Sequence, residues 1–361
     1  MNALSRGDLW QRLRDAAMVD GDVPAAGESP SPWYVRTMLG AAGWLGAIFL
    51  FGFVAAAFEF VIKSAVASLA LGAMCCVGAY AVFRAARDNV FATQFGLAAS
   101  LAGQVLIIIG LNTLLPGNEA AGYTAIFALE AVLAAVVPNF IHRVMTTWGA
   151  MFALSLALAR FGAGPLLPAV SAAALVLVWL DELRWARQAS LWQPVGYGLA
   201  LSQVQLDANL LWGHAGWFFV GRSGDPGWLY AHAPWIGRMI VAAMLIGAVA
   251  WLMKREGGAM GSRSGIAALG VAVLVAAASW LAPGVSTALL IVLLGFAAGN
   301  RVLLGLGLFA LAGFLFHYYY RLDTTLLAKS MVLAGIGTTL LLARMAVARW
   351  LAPDAQEPSH A

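Results

Sequence analysis

Apolar residues recur in long runs from residue 38 to residue 348, broken only by short polar stretches, and this pattern predicts a succession of helices. About 20 mostly apolar residues, rising about 1.5 Å each, carry a helix across the hydrocarbon core of a bilayer, and about 17 suffice for a short span. Twelve segments meet or approach that length: Met38 to Phe58, Ser64 to Phe83, Ala92 to Leu111, Ala120 to Val137, Met145 to Ala159, Pro165 to Leu180, Pro194 to Leu211, Ile236 to Met253, Gly265 to Leu281, Gly284 to Ala298, Val302 to Tyr320 and Leu326 to Ala348. The fifth and tenth are short, and the seventh is polar.

Ahead of the first run, Leu9, Trp10, Leu13 and Ala17 recur at helical spacing behind a loose capping start at Ser5 and Asp8. They predict a short amphipathic helix, lying on the membrane surface, docking a partner or tucked against the bundle. Asp20 to Pro32, rich in Gly and Pro, reads as a linker. No apolar core followed by a small-residue cleavage site occurs in the first 33 residues, so the first span is expected to stay attached. The chain therefore divides into a cytoplasmic helix and linker over 1–33, a membrane domain over 34–349 and a short cytoplasmic tail over 350–361.

Composition removes the soluble alternative. With 62% hydrophobic and 11% charged residues and a mean hydropathy of +0.83, the chain has too little polar surface to coat a globule in water, so the lipid bilayer is its first partner. The net charge of +4 and pI near 9.3 would suggest nucleic acid in a soluble protein, but the Lys and Arg are scattered between apolar runs, which excludes that partner. They act as topology signals instead. With the N-terminus inside, Lys63, Arg160, Arg222, Arg238, Arg321 and Lys329 fall outside, and the other 15 of the 21 basic residues fall on the cytoplasmic side. The fold expected is an all-α polytopic membrane helix bundle of about 12 transmembrane helices, multi-pass in a bacterial inner (cytoplasmic) membrane, with both termini cytoplasmic. Cys75 and Cys76, adjacent inside an apolar run, fit neither a disulfide framework nor a zinc site and read as packed or lipid-facing residues.

Chemistry must then come from polar residues at membrane depth, each of which costs a few kcal/mol unless paired or hydrated. Glu130, near the middle of the fourth span, is either a proton- or cation-coupling carboxylate or a hydrogen-bonded lock between helices. The seventh span holds Ser202, Gln203, Gln205, Asp207 and Asn209, so that more than half its circumference is polar. It is expected to line a hydrated pathway or to be held by inter-helix hydrogen bonds. Glu59, Asn112, Asp207 and His317 fall toward the outer ends of their spans and Gln104 somewhat outward of centre, so the polar interior is expected to open to the periplasm. The stretch from Trp212 to Trp235, with its Trp, His214 and His232, reads as a lid over a cavity or as an interfacial aromatic loop. His317 beside Tyr318, Tyr319 and Tyr320 fits an aromatic belt better than a haem ligand, and Gly295 with Gly299 suggests close helix packing. No P-loop, GxSxG, HExxH or CxxC motif occurs, and no catalytic residue, cofactor or metal is assigned.

Both ends of the chain resemble a known family. Leu9-Trp10-Gln11-Arg12-Leu13, Val19 to Pro24, Pro32-Trp33-Tyr34 and the closing run from Tyr318 to Ser330 are similar to the uncharacterised bacterial membrane family labelled domain of unknown function 4401. The resemblance implies a polytopic inner-membrane protein, encoded near another membrane protein with a Gly-Asp-Tyr motif, and no established activity. Transport of a small solute or ion is the function the polar residues suggest first. The alternatives are a non-catalytic membrane subunit that docks a partner, and an enzyme acting on envelope substrates.

Overall fold

The computed structural model describes residues 6–16, 18–21, 33–57, 59–86, 89–211, 228–257, 261–281, 284–321 and scattered positions from 327 to 345. Among them there is no strand. The helices are α1 (Arg6–Asp15), α2 (Trp33–Ala57), α3 (Glu59–Lys63), α4 (Ala65–Ala85), α5 (Val90–Leu114), α6 (Glu119–Val136), α7 (Phe140–Ala159), α8 (Leu167–Leu180), α9 (Ala189–Leu211), α10 (Trp228–Arg255), α11 (Arg263–Leu281), α12 (Val285–Ala297) and α13 (Arg301–Arg321). Short 3₁₀ segments, Gly164–Leu166 and Glu182–Gln188, lead into α8 and α9.

The starts of α4 to α7 are written in the sequence as caps. Ser64, Asn89, Asn118 and Asn139 each accept a hydrogen bond from the backbone N–H three residues on, at Ala67, Ala92, Ala121 and His142. Each such cap is worth about 1 kcal/mol, because it satisfies one of the donors a helix start leaves orphaned. Each of the first eleven expected spans lies on a helix, and five helical stretches are long and apolar enough to cross a membrane: Ala65–Ala85, Val90–Leu114, Glu119–Val136, Trp235–Arg255 and Arg301–Tyr320. The twelfth, Leu326 to Ala348, falls largely outside the described residues.

Two expectations about boundaries are corrected. The helix of the fifth expected span, α7, begins at Phe140 rather than Met145, because Asn139 caps it and Arg143 is held within it by its bonds to the Ser190 and Ala135 carbonyls. The stretch expected to be loop up to Trp235 is helical from Trp228; His232 there stacks on Trp228 and bonds its carbonyl at 2.9 Å. His214 and residues 212–227 lie outside the described residues. Among the described residues α1 makes no extensive contact with another helix, and Trp10 donates to the Gly21 carbonyl at 3.3 Å.

Packing runs through neighbouring pairs, α4 on α5, α6 on α7 and α12 on α13, which α7, α8, α9 and α10 then join together. Met151, Leu175, Leu245, Leu290, Leu294 and Leu303 belong to one apolar core shared by α7, α8, α10, α12 and α13. The outside is apolar as well. Phe296 and Phe309 are 76% and 79% exposed, and Phe49, Val66 and Leu177 also face outward, a surface that lipid solvates and water does not. Gly295 does sit at a close crossing, where an added Cβ would lie 2.5 Å from the Leu304 nitrogen. Its motif partner Gly299 is not part of that crossing; with φ of +62° it turns the chain into α13.

Side-chain ties fix which helix ends lie together. Arg143, at the start of α7, donates to the Ser190 carbonyl at the start of α9 (2.7 Å) and to the Ala135 carbonyl near the end of α6 (3.4 Å). Arg160, just past the other end of α7, pairs with Glu119 at the start of α6. Tyr197, about two turns into α9, exchanges hydrogen bonds with Asn300, which also caps α13. The starts of α7, α9 and α13 therefore share one end of the bundle.

Candidate functional site

Six of the polar residues singled out from the sequence, Gln104, Glu130, Ser202, Gln203, Gln205 and Asp207, fall into two groups on opposite flanks of α7. The first lies among α4, α5, α6 and α7. Gln104, 5% exposed, and Ser100 lie one turn apart on α5, and both reach His142 Nε2, Ser100 Oγ at 2.8 Å and Gln104 Nε2 at 3.2 Å. Cys76 of α4 donates to the Ser100 carbonyl at 3.7 Å, and Phe83 meets the His142 ring edge-on at 5.9 Å. Glu130, 4% exposed, lies against the bare backbone of Gly149, two turns along α7 from His142. An added Cβ at Gly149 would stand 3.5 Å from the Glu130 carboxyl carbon. No protein group within hydrogen-bonding reach partners Glu130 Oε2 or His142 Nδ1, and among the described residues Glu130 makes no ion pair.

The second group is centred on α9, and its members point to different neighbours. Ser202 meets Ser171 of α8 at 3.3 Å. Gln205 accepts from the Trp148 indole of α7. Gln203, fully buried, donates to Asp207 Oδ2 and to Thr287 Oγ1 of α12, both at 3.4 Å, and Thr287 itself donates to Asp207 Oδ2. Arg238 of α10, held over the Trp235 ring at 5.3 Å, lies within electrostatic reach of Asp207. Asp207 is half-buried, whereas Ser202 and Gln203, deeper along α9, are sealed. The helix thus closes inward from its end.

Glu130 and Gln104 are brought into the first group and Ser202, Gln203, Gln205 and Asp207 into the second, and α7 separates the two. His317 joins neither; it sits on α13, edge-on to Tyr318 at 6.2 Å. The side chain of Asn209 lies outside the described residues. Gln104 lies level with His142, near the start of α7.

Sequence reasoning missed His142, Ser100, Trp148, Ser171, Thr287 and Arg238. His142 had one available signal: Asn139 is a strong cap residue three positions ahead of it, which places it inside a helix. The others are single polar residues in apolar helices, and only the packing of one helix on another selects them. Among the described residues no group of three or more His, Cys, Asp or Glu could hold a metal ion. A family model described as domain of unknown function (DUF4401) matches residues 32–350. No curated protein and no solved structure matches the chain.

Proposed function

We propose, for a chain that belongs to the domain of unknown function (DUF4401) family, the role of a non-catalytic membrane subunit: a 12-span bundle in a bacterial inner membrane, termini cytoplasmic, whose polar interior locks its helices together. The observation that carries this reading is the fate of the polar residues on α9. Ser202, Gln203, Gln205 and Asp207 are engaged with α8, α12 and α7 rather than turned together toward one lumen. A solute pathway needs its polar groups to converge on a shared space, whereas a lock needs them dispersed around the helix.

The 12-span topology is supported by helices at the first eleven expected positions and by the ties that bring the starts of α7, α9 and α13 to one end. Apolar helices of membrane-spanning length support membrane association itself.

One observation favours a second reading, coupled transport of a proton or cation. Glu130 Oε2 has no partner among the described residues, which opposes folding by something on the order of 1–3 kcal/mol, and a buried carboxyl that weakens the fold is the kind of group that carries a proton or cation. Glu130→Gln separates the readings, since it keeps size and hydrogen bonding but exchanges no proton. A subunit is expected to express, fold and complement a deletion strain with the Gln variant. Loss of complementation by a normally folded Gln variant sinks the subunit reading and supports transport.

A further inference from the structure

We propose that the groove between α10, α11 and α12 binds one acyl chain of an anionic glycerophospholipid, with the phosphate held by Arg263 and Arg301. The groove encloses about 590 Å³ and is walled by Leu245 and Val249 of α10, Ala268 and Ala272 of α11, and Val292 and Phe296 of α12. It exists because α11 packs along α10 and far less along α12. From Ser264 to Val275 it runs ~16 Å at the rise of a helix, half the ~30 Å hydrocarbon core, which is the depth of one leaflet.

Charge selects the headgroup. Ser264, the one lining residue with a polar side chain, marks the end of the groove, and its hydroxyl meets Ser262 at 3.0 Å. Arg263 directly precedes it. Arg301 stands three residues before Leu304, which also lines the groove, so it lies on the same helical face one turn nearer that end. Both arginines are exposed and make no ion pair among the described residues. Lys254 and Arg255 end α10 at the same level, with Arg255 drawn over the Trp251 ring at 5.4 Å and Glu256 the one carboxylate beside them. An apolar slot one leaflet deep below a cluster of cations fits an anionic lipid; a zwitterionic headgroup offers the same phosphate but adds an ammonium that the arginines repel, so it leaves their charge unbalanced. The inference rests on the multi-pass reading only for the leaflet concerned, which reporter fusions test separately.

Thermal unfolding of the purified full chain in detergent tests it, with phosphatidylglycerol and phosphatidylcholine of identical acyl chains as the added lipids. Phosphatidylglycerol is expected to raise Tm by at least about 2 °C more than phosphatidylcholine, because a ligand of the native state stabilises by mass action. The R263Q/R301Q double variant should lose that difference with an unchanged Tm in detergent alone. Ala268→Phe should fill the slot and blunt the response to both lipids, with Ala268→Leu as the milder variant should the first fail to fold. Equal responses of the unaltered protein to the two lipids overturn the proposal, as does an undiminished phosphatidylglycerol response in both the arginine and the Ala268 variants. Quantitative disulfide formation between cysteines placed at 268 and 334, in a chain lacking Cys75 and Cys76, overturns it too, since the chain's own last apolar segment then fills the groove.

Discussion

Thr287 and Asp207 show what a single hydroxyl does inside this bundle. The Thr287 hydroxyl reaches Asp207 across the boundary between α12 and α9, and Gln203 approaches both from one turn away. Inter-helix hydrogen bonds of this kind contribute about 0.6–1.7 kcal/mol each in a membrane, less than burial suggests, because the separated helices find other partners. Thr287→Val is therefore expected to lower stability in detergent by about 1 kcal/mol, and Asp207→Leu by at least as much, since it removes the acceptor that Gln203 and Thr287 share. The double variant should lose less than the sum, and a coupling energy near zero in that cycle would mean the contact is not energetically linked. Asp207 and Gln203 were legible in the sequence because a polar residue in an apolar run stands out by its cost. Thr287 was not, since one threonine in an apolar helix is ordinary and only the neighbour it meets gives it meaning. His142 was hidden differently: the basic residue beside it placed the span boundary two positions beyond Arg143, although the bundle accommodates Arg143 inside α7.

At the scale of elements, contact depends on where two helices lack side chains. An added Cβ at Gly72 of α4 would lie 2.6 Å from the Gly103 carbonyl oxygen, and one at Gly103 of α5 would lie 2.7 Å from the Gly72 carbonyl oxygen, so the backbones cross face to face. Gly110, two turns further along α5, meets Leu69 and the Ala65 carbonyl in the same manner. Gly103→Leu must push the helices apart, and about 1–3 kcal/mol of destabilisation is expected from such overpacking. Gly78, with nothing within 4 Å of its added Cβ, should tolerate the same change. Thermal unfolding of the two variants in detergent checks the contrast, and equal losses would contradict the crossing. The helices themselves followed from apolar runs and cap residues, whereas their partners did not. With 39 glycines in the chain, the sequence holds many small-residue spacings, and it does not separate Gly295, which packs, from Gly299, which turns the chain.

For the whole molecule, the two polar groups, the apolar exterior and the ties between helix ends combine into a bundle in which, among the described residues, Ser202, Gln203 and Glu130 are sealed and Asp207, near the end of α9, is half-buried. Reporter fusions after Arg187 and Arg349 should both read cytoplasmic, and one after Asp225 periplasmic, as the distribution of basic residues requires. A cytoplasmic reading at Asp225 would remove the 12-span topology from the seventh span onward. That topology also decides which solution Asp207 meets, and hence how the bundle is best probed. Reaction of single cysteines with a membrane-impermeant thiol reagent on whole cells, in a chain lacking Cys75 and Cys76, tests the lock against the pathway directly. The account predicts labelling at Asp207→Cys, which is half-buried near the end of α9, and protection at Gln203→Cys and Glu130→Cys, which are sealed. Labelling at both 203 and 130, in variants that retain the thermal stability of the unaltered chain, would reveal a continuous aqueous route through the bundle and contradict it.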